Sequence, residues 1–222
     1  DAARQIRDLG RRLNEANLVA VGLNGEGRAL IKSGAVADGL ALLDEAMVTV
    51  LEGRLDPFMT GVLYCHTIAA CHEVGDVLRM TRWTELAERW LTTVPAEVTF
   101  GAMCAVHRAQ LQLLRGAWDR AELGALHVVA SLDVNRLDYA AQAWYVVAEV
   151  RRLRGEAGAA VAYGEAHARG YDPQPGRALL RLADGDAEGA LASVLSAVAA
   201  AGPDPLRRAP LCAALVEIAI AA

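Results

Sequence analysis

Lysine is almost missing from this 222-residue chain: Lys32 stands against 21 arginines, and the net charge is −5. A nucleic-acid-binding segment gathers basic side chains on one face. An acidic chain with dispersed arginines lacks that footprint, so no direct contact with DNA is expected. The arginine excess is put down to GC-rich coding, not to phosphate binding. Long hydrophobic runs are lacking too. Although 54% of the residues are hydrophobic, even the alanine-rich stretch from Val194 to Ala201 falls well short of the roughly 20 residues that span a bilayer. No membrane segment is therefore expected. Residues 1–9 are charged and hold no apolar core of a secretory signal, which makes the cytoplasm the expected compartment. The four cysteines, Cys65, Cys71, Cys104 and Cys212, lie in apolar helical stretches, where reduced thiols are the expectation.

Catalytic signatures are absent as well. No serine sits in a G-x-S-x-G elbow, and the run Gly22, Gly25, Gly27 follows no strand, so it reads as small residues for close helix packing and not as a phosphate cradle. Cys65-His66, Cys71-His72, Cys104 and His107 form the most chemical-looking cluster. A zinc ion needs four donors converging on one point. Cys65 and His72 share a helix face but lie two turns apart, so packing or groove lining is the favoured reading. No cofactor, no metal and no enzymatic activity are expected.

What the chain does have is rhythm. Gly34, Gly75, Gly116, Gly155 and Gly185 recur at spacings of 41, 41, 39 and 30 residues, each closing one apolar helical stretch and opening another. Five residues after them stand Gly39, Met80, Ala121, Ala160 and Ala190, and twelve after stand Ala46, Ala87, Val128, His167 and Ala197. Seven before stand Gly27, Ile68, Ala109, Ala148 and Ala178. Mostly small residues at fixed offsets let helix backbones approach closely, the mark of a stacked array of helix pairs. Prolines occur only at 57, 95, 173, 175, 203, 205 and 210 and frame segments of helical length. Hydrophobic periodicity predicts helices at about 2–14, 17–33, 36–52, 58–74, 77–92, 98–115, 118–131, 137–154, 157–169, 175–183, 186–201 and 205–221. The expected fold is all-α, a right-handed superhelix, or solenoid, of antiparallel tetratricopeptide-like hairpins, forming one domain over residues 1–222. The missing initial methionine and the apolar end Ile218 to Ala222 suggest a piece of a longer protein.

The stretches GRALIKSGAVADGLALLDEAMV (Gly27 to Val48), VHRAQLQLLRGAWDRAE (Val106 to Glu122), LRGEAGAAVAYGEA (Leu153 to Ala166) and DPQPGRALLRLADGDAEGALA (Asp172 to Ala192) resemble the repeat region of large LuxR-type transcriptional regulators. In that family the repeats accompany a C-terminal helix-turn-helix, and sometimes an ATPase module; neither is visible here, so none of the DNA-reading or nucleotide-binding residues carries over. The resemblance implies a sensor or interaction segment. The repeat register places positions 2, 5, 9 and 12 of each first helix on an inner, concave face. From these the candidate contacts are Asn24, Arg28, Cys65, His72, Gln110, Tyr145, Glu149 and Arg152. A peptide, protein or small effector is the expected occupant. The alternative is an oligomerisation scaffold with an empty groove, in which apolar terminal helices pair into a homodimer.

Overall fold

A computed structural model describes residues 2–94, 101–131 and 137–222. Among them the structure is all-α, with twelve helices and no strand. In chain order these are α1 (Ala2–Leu13), α2 (Ala16–Lys32), α3 (Val36–Leu51), α4 (Pro57–Glu73), α5 (Val77–Leu91), α6 (Gly101–Leu114), α7 (Trp118–Ser131), α8 (Leu137–Arg154), α9 (Ala159–Ala168), α10 (Gly176–Ala183), α11 (Ala187–Ala201) and α12 (Pro205–Ala221). The expected start of the sixth helix at 98, and the break at Pro95, lie outside the described residues.

The five punctuating glycines act as the periodicity requires. Each has a positive φ, +96° at Gly34 and +87° at Gly185, a conformation in which a Cβ would meet the backbone. At Gly34 the amide donates to the Ile31 carbonyl at 3.0 Å, and the next amide, of Ala35, reaches back to the Leu30 carbonyl at 3.0 Å. This pair of bonds satisfies two carbonyls that the helix end would leave open. The same pair recurs after Gly75, Gly116, Gly155 and Gly185. Four helix starts are fixed by aspartates: Asp56, Asp76 and Asp186 accept the amides of Met59, Arg79 and Gly189, each at 2.9 Å, and Asp204 accepts those of Leu206 and Arg207. Pro57 and Pro205, in the first turns of α4 and α12, give up amides that have no helical partner there.

The chain divides into two compact units, residues 1–107 and 108–222, with the division falling inside α6. In the first unit α1 packs on α2, α2 on α3 and α4, α3 on α4, and α4 on α5. Glycine sets the closest approaches. A Cβ on Gly27 would stand 2.7 Å from the Gly39 carbonyl oxygen, and one on Gly22 would stand 2.5 Å from the Arg7 amide nitrogen, so α2 touches α3 and α1 almost backbone to backbone. In the second unit α7 packs on α8, α8 on α9 and α10, α9 on α10, and both α10 and α11 on α12. Its α10–α12 core is Ala178, Ala190, Val194, Ala214 and Ile218, all buried.

The small positions deduced from the glycine offsets lie in the core at Ala46, Met80, Ala87, Ala121, Val128, Ala148, Ala178 and Ala190. One hairpin departs. Ala160 and His167 are exposed, and Ala159 and Ala166 are buried in their place. The link after Gly155 runs on to Gly158 before α9 begins, whereas the other hairpins restart their second helix two residues after the glycine. In this hairpin the inward face of α9 is turned by one residue, about 100°, and Ala159 and Ala166 face the core.

Candidate functional site

The candidate residues fall into two groups, one in each unit. In the first, Asn24 and Arg28 stand one turn apart on α2 and therefore share a face. Asn24 is 3% exposed; its Oδ1 lies 3.2 Å from Nδ1 of His66 on α4, while its Nδ2 is buried with no partner among the described residues. Arg28 donates from Nη2 to Glu73 Oε1 at 2.9 Å, and its Nη1 is likewise buried without a partner. The His66 imidazole is held below its ordinary pKa by loss of water around the ring and then by the Arg28 charge. At neutral pH it is uncharged, and Nδ1–H donates to Asn24 Oδ1, which leaves Nε2 as an acceptor. Two buried donors without acceptors among the described residues, one turn apart on α2, suit a carboxylate or another oxygen-rich group.

Cys65 and His72 do not join this group. Cys65 is 1% exposed, and its free thiol shares a hydrogen bond with that of Cys104 on α6, an interaction that, with burial, raises its pKa. Cys71 is fully buried, and its thiol is pushed up to about 12, chiefly by burial. His72 is exposed. The residues that do face Asn24 and Arg28 are His66 and Glu73, each one position beyond the residue that the repeat register selects. The signal was present in the sequence, since His66 follows Cys65 and Glu73 follows His72. A register built on a 34-residue consensus cannot fix helix phase across a spacing of 41. Among the described residues, no three His, Cys, Asp or Glu side chains converge as metal ligands do.

In the second unit Tyr145, Glu149 and Arg152 lie at i, i+4 and i+7 of α8, on one face as expected. The structure brings them together. Arg152 Nη2 donates to Glu149 Oε2 at 2.8 Å, and the Tyr163 hydroxyl of α9 donates to Glu149 Oε1. Tyr145 packs its ring 5.8 Å from that of Tyr163 and 5.0 Å from that of Tyr171. Burial, and after it the Glu149 charge, pushes the Tyr145 and Tyr163 phenols up, so both stay protonated. Gly176, at the start of α10, has no room for a Cβ against the Glu149 carboxylate and the Tyr163 ring. Both Glu149 oxygens are thus engaged within the unit, and the cluster ties α8, α9 and α10 together. Gln110 is half-buried on α6. Sequence periodicity missed Tyr163, Tyr171 and Gly176 because they belong to a second helix, a link and a helix start, none of which the inner-face register samples.

A cavity of about 510 Å³ lies against α3 and α5 in the first unit, bounded by Leu78, Trp83 and Leu86 and by the ion pairs that Arg79 makes with Asp44 (2.9 Å) and Asp76 (2.6 Å). No described helix is long and apolar enough to cross a membrane. Comparison with protein-family models, with curated proteins and with solved structures gave no match to this chain.

Proposed function

We propose that the chain is an interaction or sensing module: a right-handed array of tetratricopeptide-like helix hairpins, without enzymatic activity, that engages a peptide, a protein or a small effector along the faces of its first helices. The observation that carries this reading is the pair of buried, unpaired donors, Asn24 Nδ2 and Arg28 Nη1, one turn apart on α2. An unpaired buried polar group costs about 1–3 kcal/mol. Two adjacent ones are best accounted for by a partner that brings acceptors. The packing of α2 on α4, of α8 on α10 and of α10 on α12 agrees with first helices lining up along an array. The likeness of the quoted stretches to large LuxR-type regulators makes a cytoplasmic transcriptional regulator the favoured setting. There, occupancy would act on an output domain only through different affinity for two arrangements of the repeats.

The test is to pan a random peptide-display library against the chain. Enrichment of peptides rich in Asp and Glu is expected, with affinity falling about tenfold or more in Arg28→Gln and in Asn24→Ala while helical circular dichroism is unchanged. Binders indifferent to both substitutions, or no binders, would reject the site.

The second reading, a self-association scaffold, is favoured by one feature of α12. Val216 and Ile220 stand at i and i+4, 60% and 82% exposed, while Leu211, Ala214 and Ile218 are buried. Sedimentation of Val216→Glu/Ile220→Glu distinguishes the two: a dimer that becomes monomeric supports the scaffold, and a parent chain that is already monomeric eliminates it.

A further inference from the structure

The link between α9 and α10 does more than connect helices. Tyr171, Asp172 and Gln174 line one side of a cleft of about 260 Å³, and Arg207, Pro210 and Leu211, in the first turns of α12, line the other. Three polar groups in it are unspent. The Gln174 side-chain amide donates from Nε2 to Ser193 Oγ of α11 at 2.8 Å, which fixes its plane, yet its Oε1 is buried and accepts nothing from the described residues. Asp172 accepts the Gln174 amide on Oδ1 at 3.2 Å, and its second oxygen has no partner among the described residues. Arg207 is engaged only through its backbone amide, which Asp204 caps at 3.3 Å; no described carboxylate pairs with its guanidinium. The walls between these groups are apolar: the Tyr171 ring, braced at 5.0 Å from that of Tyr145, with Pro210 and Leu211.

A buried amide oxygen calls for a donor, a free carboxylate oxygen calls for a cation, and an unpaired guanidinium calls for an anion. A simple anion would meet Asp172 as a repulsive neighbour, and a simple cation would meet Arg207. A molecule bearing both charges satisfies all three groups. The volume is below the roughly 300–1,000 Å³ of drug-sized sites, which limits the occupant to metabolite size. We propose that this cleft binds a small zwitterion, a free α-amino acid with an apolar side chain. Arg207 pairs with its carboxylate, Asp172 and Gln174 Oε1 take its ammonium, and Tyr171, Pro210 and Leu211 contact its side chain. The assignment does not rest on the donor pair of Asn24 and Arg28, and the two stand or fall separately.

The experiment is titration calorimetry of the whole chain with the twenty L-amino acids, followed for any binder by its decarboxylated amine, its N-acetyl derivative and inorganic phosphate. An apolar amino acid should bind, with the amine and the N-acetyl derivative each weaker by about tenfold or more, since each lacks one charge. Arg207→Gln, at an exposed side chain with no protein partner to lose, should weaken binding to a similar degree. Asp172→Asn, which keeps the acceptor for the Gln174 amide, should weaken it by a smaller factor. The proposal is overturned if no amino acid binds at millimolar concentration, if Arg207→Gln binds as the parent does, or if phosphate or the N-acetyl acid binds equally well, which would mark a simple anion site.

Discussion

Gly39 and Gly164 are both helical glycines, yet the same substitution should move stability in opposite directions. Alanine is favoured over glycine by about 1 kcal/mol in a helix interior, and at Gly164 nothing lies within 4 Å of the added Cβ. Gly164→Ala should therefore stabilise the chain by about 0.5–1 kcal/mol. At Gly39 the Cβ would stand 2.5 Å from the Gly27 carbonyl oxygen and 2.9 Å from the Ile31 amide nitrogen. Backbone atoms have no rotamer to retreat into, so helices α2 and α3 must part. Overpacking of this kind costs about 1–3 kcal/mol, which outweighs the propensity gain, and Gly39→Ala should lower the urea midpoint. A Gly39→Ala chain as stable as the parent would mean that the α2–α3 crossing is looser than the structure has it. At this scale the sequence was legible where a residue's size alone carried the message. Gly27, Gly39 and Ala46 were placed in a close crossing by spacing. The Glu149–Tyr163 bond was not, because a tyrosine fourteen residues away announces no partner until α9 has been turned to face α8.

Helices were readable for a different reason: many of their ends are chemical events. Gly34, Gly75, Gly116, Gly155 and Gly185 close helices through a backbone conformation, and Asp56, Asp76, Asp186 and Asp204 open them through a side-chain acceptor. What the pattern could not supply was rotation about the helix axis. On α4 the inner-face assignment fell on Cys65 and His72, whereas His66 and Glu73 meet α2. On α9 the small-residue offsets fell on Ala160 and His167, one residue beyond the buried Ala159 and Ala166. A degenerate repeat preserves where helices begin more faithfully than it preserves their phase, since a one-residue error is about 100° of turn. The cap at Asp76 gives a pH-dependent test. Its carboxyl is held below the usual aspartate range, chiefly by the Arg79 amide; burial opposes this as the next largest effect, and the Arg79 guanidinium adds to the lowering. A depressed folded pKa contributes stability above the unfolded value of about 3.9, and that stability is lost as pH falls through the folded value. Asp76→Ala should thus cost about 0.5–2 kcal/mol at pH 7, and the difference from the parent should shrink as the pH is lowered below about 4. A deficit that persists undiminished in acid would show that the loss comes from packing and not from the carboxylate.

Within each unit, the order of helices in the chain is also the order of their contacts. Among the described residues, every helix pair in substantial contact is one or two apart in sequence. A single expected domain over 1–222 and two compact units divided at 107 and 108 are hard to tell apart in a sequence, because the division falls inside the unbroken apolar pattern of α6. The consequence is energetic. In an array held by neighbour contacts, stability is a sum of local terms, and a defect is felt mainly beside itself; in one cooperative globule the slowest amides all exchange through the same global opening. Gly39→Ala again provides the probe. Native-state hydrogen exchange should show faster exchange in α1 to α4, the helices that touch α2 or α3 or contain the change, with protection in α10 to α12 equal to that of the parent. If the slow amides of α11 and α12 lost protection by the same factor as those of α3, the molecule would unfold as one unit, and an additive chain of hairpins would be the wrong description of its energetics.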